Sequence, residues 1–264
     1  MVVLVMTDGV RPDALERANC PTHRALRARG SYTAEARSVM PSVTLPCHMS
    51  IFHSVPPTRH GITTNFYIPM ARPLPGLVEA LRAAGRRCGM IHNWEPLRDL
   101  SRPEMLAYAY FREPPAGPDV AHPAYDEDVA EQAVRAIAGG GFDFLFVYLG
   151  GVDAAGHAYG WMSDGYLEQV ERLDKALGAV AAALPADASI VVQSDHGGHG
   201  RSHGTDQPED MTIPWLAAGP GIRAGHTIAA PVSLLDTAPT VARMLDVAPP
   251  ADWEGRAVEE IFAQ

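Results

Sequence analysis

Three cysteines, Cys20, Cys47 and Cys88, are all that the 264 residues contain. They are too few and too scattered for a disulfide framework or a thiolate zinc site. Basic excess is also missing: 21 Lys and Arg stand against 31 Asp and Glu, a formal net charge of −10. Nucleic-acid scaffolds and lipid-headgroup binders cluster Lys and Arg, so both classes are excluded as the main role. No window reaches the ~18 consecutive apolar residues of a membrane span. Met1–Met6 is apolar but meets Asp8 at once and lacks a basic flank, so it reads as a first strand and not a signal peptide. A reduced, cytoplasmic protein is the expectation. Disorder is excluded by a 47% hydrophobic and 20% charged composition, enough to bury a sizeable core.

Short apolar runs at Val2–Met6, Cys88–His92, Phe142–Leu149, Ser189–Gln193 and Ile213–Ala217 predict strands covered on both faces. Between them Leu74–Ala84, Asp126–Ala138 and Tyr166–Leu184 repeat apolar residues at spacings of three and four, which predicts helices. The expected fold is α/β: a mainly parallel central sheet with helices on both faces. Residues 1–264 read as one domain, with 96–123 a small insertion or cap because its periodicity is weak and prolines are frequent. On the long helix, Glu168, Glu171, Arg172, Asp174 and Lys175 read as a solvated face. Met40, Met49 and Met244 read as core.

Ligands of an open parallel sheet gather beyond the carboxyl ends of its strands. Three predicted strands end in polar clusters: Thr7-Asp8-Gly9, Gly150-Gly151-Val152-Asp153 and Ser194-Asp195-His196-Gly197. Asp153 and His157, at i and i+4, share one face of a helical turn and could hold a cation; an N-cap Asp beside a surface His is the bland alternative. His203 alone reads as a loop histidine. Thr44 falls near a helix start, where the dipole favours an anion, although taken alone an ordinary N-cap explains it better. Asn65 could cap a turn or donate to a substrate oxygen. Together Asp8, Asp153, His157, Asp195, His196 and His203 offer six oxygen and nitrogen ligands, enough for two cations that clamp an in-line displacement.

In their order along the chain these pieces resemble the alkaline phosphatase superfamily, and within it the nucleotide pyrophosphatase/phosphodiesterase branch. The matching segments are Thr-Asp8-Gly, Pro-Ser-Val-Thr44-Leu-Pro-Cys-His, His-Gly-Ile-Thr-Thr-Asn65, Asp153-Ala-Ala-Gly-His157, Ser-Asp195-His196-Gly and Ser-His203-Gly-Thr-Asp. The resemblance implies two divalent metal ions, zinc first, with manganese or iron as alternatives. Asp8, Asp195 and His196 would hold one, together with the Thr44 oxygen; Asp153, His157 and His203 would hold the other. Thr44 would be the nucleophile and Asn65 a donor to the phosphoryl group. The implied activity is hydrolysis of phosphodiester or pyrophosphate bonds in a small phosphate ester or nucleotide-like substrate, through a phospho-threonine intermediate.

Two departures stand out. Nucleotide-cleaving members often carry an aromatic residue after the nucleophile, and this chain has Leu45. The interval from His196 to His203 is short. Leu45 and Phe66 are the expected substrate-contacting residues, with Phe66 or Tyr67 also a candidate for the core. His48, His53 and His60 read as structural or supporting, and His199 as a reserve ligand. The Cys47 thiol lacks the downstream Arg of sulfatases and reads as buried. Alternatives on the same scaffold are a phosphomonoesterase or a phosphonate- or sulfate-ester hydrolase; Arg59, Arg72 and Arg201 are the cations that could serve a monoester. A non-catalytic metal- or anion-binding module is the reading from another class.

Overall fold

The computed structural model describes residues 1–113 and 124–263. Among the described residues eight strands are present: β1 (Val2–Thr7), β2 (Gly30–Arg37), β3 (Cys88–His92), β4 (Tyr108–Phe111), β5 (Phe144–Leu149), β6 (Ser189–Gln193), β7 (Thr212–Ala218) and β8 (His226–Thr227). They form one sheet in the order β4-β3-β5-β1-β6-β7-β2-β8. β1 lies in parallel between β5 and β6, and β3 and β4 extend the parallel part.

Helices α1 (Pro12–Arg17), α2 (Pro21–Ala28), α3 (Thr44–His53), α4 (Pro57–His60) and α5 (Leu77–Ala83) precede α6 (Ala124–Gly139). Then come α7 (Gly151–Tyr159), α8 (Asp164–Ala183), α9 (Pro208–Met211) and α10 (Thr237–Met244). The pleat divides the core in two. Val2, Leu4 and Met6 of β1 pack with α3, α5 and α10, whereas Val3 and Val5 pack with α1, α2, α6 and α8. Each such buried side chain contributes about 1.5–3 kcal/mol. The central strands are therefore anchored on both faces, and their carboxyl ends form a rigid platform.

Several sequence expectations need correction. Ile213–Ala217 belongs to β7, which runs antiparallel to β6 and β2; only the short α9 lies between β6 and β7, and a parallel return needs a longer crossover. Strands β2 and β8 lack continuous apolar runs, β4 is only four residues long, and all three owe their conformation to pairing with neighbours. Within 96–113 the chain supplies edge strand β4, which pairs with β3 and extends the sheet. Residues 114–123 of that expected insertion lie outside the described residues.

Asp174 is buried, not solvated. Its carboxylate accepts from Thr22 N and His23 N, so α8 supplies the anion at the start of α2. Met40 stands exposed, whereas Met49 is core and Met244 packs against it. Among the described residues, no helix is long and apolar enough to cross a membrane.

Candidate metal centre and nucleophile

The three strand ends expected to bear chemistry converge. Asp8 follows β1, and Asp195 and His196 follow β6, with all three buried. α7 begins directly after β5 and places Asp153 and His157 on successive turns. Ser194 ties two of these ends together: its Oγ accepts from Val10 N and donates to the His196 carbonyl. Gly9 makes the approach possible. Its φ is +70°, and a Cβ there would lie 2.9 Å from the Asp153 Cα.

His196 Nε2 lies 3.3 Å from Asp8 Oδ1, 3.4 Å from Asp195 Oδ2 and 3.2 Å from Thr44 Oγ1. Nearby, Asp153 faces His157 Nε2 at 3.5 Å and His203 Nε2 at 3.6 Å. The His196 and His203 rings stack at 3.8 Å, which joins the two groups into one site. Asp8, Asp195 and His196 form one cluster with metal-ligand spacing, and Asp153, His196 and His203 form another.

Proton positions follow from the partners. His157, His196 and His203 each place Nδ1 against a backbone carbonyl, of Arg201, Gly197 and Ser42 respectively. A carbonyl only accepts, so each Nδ1 carries the hydrogen and each Nε2 presents a lone pair inward. Asp8 Oδ1, Asp153 Oδ1 and Asp195 Oδ2 are buried without any hydrogen-bond partner. Lone pairs thus face lone pairs, and only a cation or extra protons can reconcile them.

Without a cation the carboxylates, and not the His203 imidazole, take up those protons. Burial pushes the His203 imidazole down to about 4, assisted by His196. Burial, with Asp153 next in weight, pushes Asp195 up to about 8. Asp8 is raised well above the carboxylate range by burial and then by Asp195 and Asp153. Oxygen and imidazole donors without thiolate suit zinc, manganese or iron, and two divalent cations would neutralise three carboxylates with one positive charge left for an anion. The residues present fit such ions.

Thr44 is the first helical residue of α3, with Val43 as N-cap. Its hydroxyl faces His196 instead of capping the helix. Asn65 Oδ1 accepts from Leu45 N at 3.0 Å, and Pro46 has no N–H. The Thr44 N–H is therefore the donor left at this helix start for an anion, beside the Asn65 amide nitrogen. Leu45 requires correction: its side chain is fully buried in the core and forms no wall for a substrate. Phe66 is 81% exposed and Tyr67 38%, so neither serves the core.

Sequence reasoning missed two supporting residues. Tyr148 donates its hydroxyl to Asp8 Oδ2. Trp161 donates to the Gly9 carbonyl and sets its ring edge-on to His157. His48, read as structural or supporting, donates to the Thr44 carbonyl and lies 3.5 Å from Asp195 Oδ2. Tyr148 was concealed within an apolar strand. Nearby, Gly156 and Gly198 were the available signal for Trp161, because a Cβ at either would strike its ring. His199 is no ligand here; it pairs with buried Asp210 at 2.7 Å. Arg59 is engaged by Glu254.

Residues 2–208 match the family described as type I phosphodiesterase / nucleotide pyrophosphatase. The 2,3-bisphosphoglycerate-independent phosphoglycerate mutase of Cellvibrio japonicus is 29% identical over 134 residues, 49% of this chain and 25% of that protein. The chain thus spans about a quarter of that relative's length. Among solved structures, an inactive threonine-to-alanine form of murine ectonucleotide pyrophosphatase / phosphodiesterase 5, in complex with AMP, superposes with a TM-score of 0.81 at 16% identity, covering 99% of both chains. The alkaline phosphatase PafA, in a mutant form, gives 0.81 at 13% identity, covering 99% of this chain and 98% of its own. These neighbours share the alkaline phosphatase-like α/β fold. With more than three-quarters of its length matched, the chain belongs to the type I phosphodiesterase / nucleotide pyrophosphatase family.

Proposed function

We propose that this protein is a metal-dependent hydrolase that cleaves phosphodiester or pyrophosphate bonds through Thr44, with residues 1–264 acting as one domain. The observation behind this reading is the meeting of Thr44 Oγ1 with inward imidazole lone pairs and partnerless carboxylate oxygens. Asp8, Asp195 and His196 would hold one divalent ion beside Thr44, and Asp153, His157 and His203 a second. When bound, such ions supply Lewis acidity and stabilise oxygen anions.

Around them the chain's own groups have defined tasks. α3 holds the Thr44 hydroxyl in the cluster, and its oxygen attacks phosphorus while its proton passes through solvent to the departing oxygen. The phosphorus–oxygen bond to the leaving group breaks, and a phospho-threonine forms. The Thr44 N–H and the Asn65 amide would donate to the non-bridging oxygens as their charge grows. Water then attacks the phospho-threonine, releasing the second product and restoring Thr44. The murine neighbour, inactive with a threonine replaced by alanine, is in keeping with a threonine at the centre of this chemistry.

The test is hydrolysis of bis-p-nitrophenyl phosphate beside p-nitrophenyl phosphate. Zinc-loaded protein should favour the diester, a chelator should stop turnover, and Thr44→Ala should abolish it while binding metal. Full activity in Thr44→Ala overturns the mechanism. The mutase relative favours one other reading, phosphoryl transfer to a second hydroxyl in place of water. Phosphorylated acceptor, rather than free phosphate ester, would be its product.

A further inference from the structure

Just past α7 the chain turns at Gly160, where φ is +95°, and Trp161 follows. Its indole reaches each of the three strand ends that carry candidate ligands. The indole N–H donates to the Gly9 carbonyl at 2.9 Å, next to Asp8. The ring lies against α7, where a Cβ on Gly156 would come 2.6 Å from its Cε2. It also lies against the loop after β6, where a Cβ on Gly198 would come 2.2 Å from the same atom. Both glycines leave the space that this one large ring fills. The Trp161 backbone N–H donates to the Gly200 carbonyl at 2.8 Å, and the Tyr166 ring packs beside the indole at 6.2 Å. The indole therefore has little room to shift.

Its imidazole neighbours belong to the second cluster. The His157 ring stands 5.1 Å away at 86°, and the His203 ring 5.8 Å away at 61°, both edge-to-face arrangements. The two clusters differ in how burial holds them. Asp8, Asp195 and His196 have side chains 0% exposed, whereas that of His157 is 46% exposed. A half-exposed imidazole with one hydrogen bond, from Nδ1 to the Arg201 carbonyl, keeps rotamer freedom that it must lose on binding. A buried indole against that ring restricts the freedom in advance.

We infer that Trp161 is a positioning residue for the second metal cluster, its ring setting the His157 and His203 imidazoles in place. The inference rests on the reading of Asp153, His157 and His203 as metal ligands and deepens it. The first cluster is spared, because the Gly9 carbonyl also accepts from the Tyr166 hydroxyl at 2.9 Å and keeps that donor when the indole is removed.

The experiment titrates metal-free protein with zinc against a chromophoric chelator and resolves two binding steps. His157→Ala identifies the step that belongs to the second cluster. Trp161→Leu should weaken that step by about 10–100-fold, as for other lost supporting partners of metal ligands, while the other step holds. Trp161→Phe keeps a ring in the same space and should lose less. Gly156→Ala should weaken the same step even though alanine is the better helix former, because its Cβ displaces the indole. Equal weakening of both steps, the mark of a merely structural role, overturns the inference, and so does wild-type affinity at both. Should Trp161→Leu fail to fold, Gly156→Ala decides between the same outcomes. Wild type that binds no zinc overturns the metal-centre reading itself, which separates the two failures.

Discussion

Replacing Tyr148 by Phe probes how the first metal cluster is held. The Tyr148 hydroxyl donates to Asp8 Oδ2 deep in the protein, where Tyr148 is 4% and Asp8 0% exposed. That bond fixes the carboxylate so that Oδ1 turns towards His196 Nε2 at 3.3 Å. Tyr148→Phe removes one hydrogen bond to a charged group, worth about 1.5–3 kcal/mol. At ~1.4 kcal/mol per factor of ten, this corresponds to roughly 10- to 150-fold in affinity. Loss of a supporting partner of a metal ligand independently suggests about 10–100-fold. Competition between the metal-free protein and a chromophoric zinc chelator measures the effect directly. One of two binding steps should weaken by that factor, while the step assigned to Asp153, His157 and His203 holds. Zinc affinity equal to wild type at both steps would refute the orientation argument.

Other expectations are equally specific. Gly9→Ala puts a side chain at positive φ and against the Asp153 backbone, so stability should fall by at least about 1–3 kcal/mol in thermal melts; an unchanged Tm contradicts the close approach. Asn65→Ala should lower kcat/KM by about 10²-fold at unchanged zinc stoichiometry, because it removes a donor that meets growing charge. For the chelated protein, folded Asp195 at about 8 lies above its unfolded value, so it holds a proton that the unfolded chain releases. Its stabilising contribution is present below pH ~4 and lost as pH rises through about 8. Buried His23, His60 and His203, each held down to about 4, and His48, held down to about 3, favour the neutral form and act oppositely below pH 6.5. The imidazoles are neutral in both states only from about pH 7.5, so from there to pH ~8.5 the carboxylates dominate, the chelated protein's Tm should fall, and saturating zinc should remove the trend. A rising Tm in chelator contradicts the carboxylate assignment.

The parts of the fold legible in the sequence are those dictated by local pattern. β3 and β6 coincide with their apolar runs because both faces of those strands are covered. β2 and β4 were invisible because Gly30–Arg37 mixes Ser, Thr, Glu and Arg with apolar residues, and Tyr108–Phe111 is short and half-buried. The direction of β7 depends on what its connection can span, which no single window reveals. At the site, Asp8, Asp195 and His196 were legible as residues at strand ends, His203 as one in a Gly-rich loop, and Asp153 and His157 by their i and i+4 spacing, which α7 places on successive turns. Legibility failed where a residue's role depends on a distant partner. Leu45 follows Thr44, yet helix geometry turns it into the core. Asp174 resembles any surface acid until α2 is placed against it.

Anomalous diffraction from crystals grown with zinc tests the central claim most directly. Two peaks roughly 3.5–4 Å apart are expected, one among Asp8, Asp195, His196 and the Thr44 oxygen, the other among Asp153, His157 and His203. No zinc at either cluster, or zinc bound with Thr44 Oγ1 turned away, would contradict it.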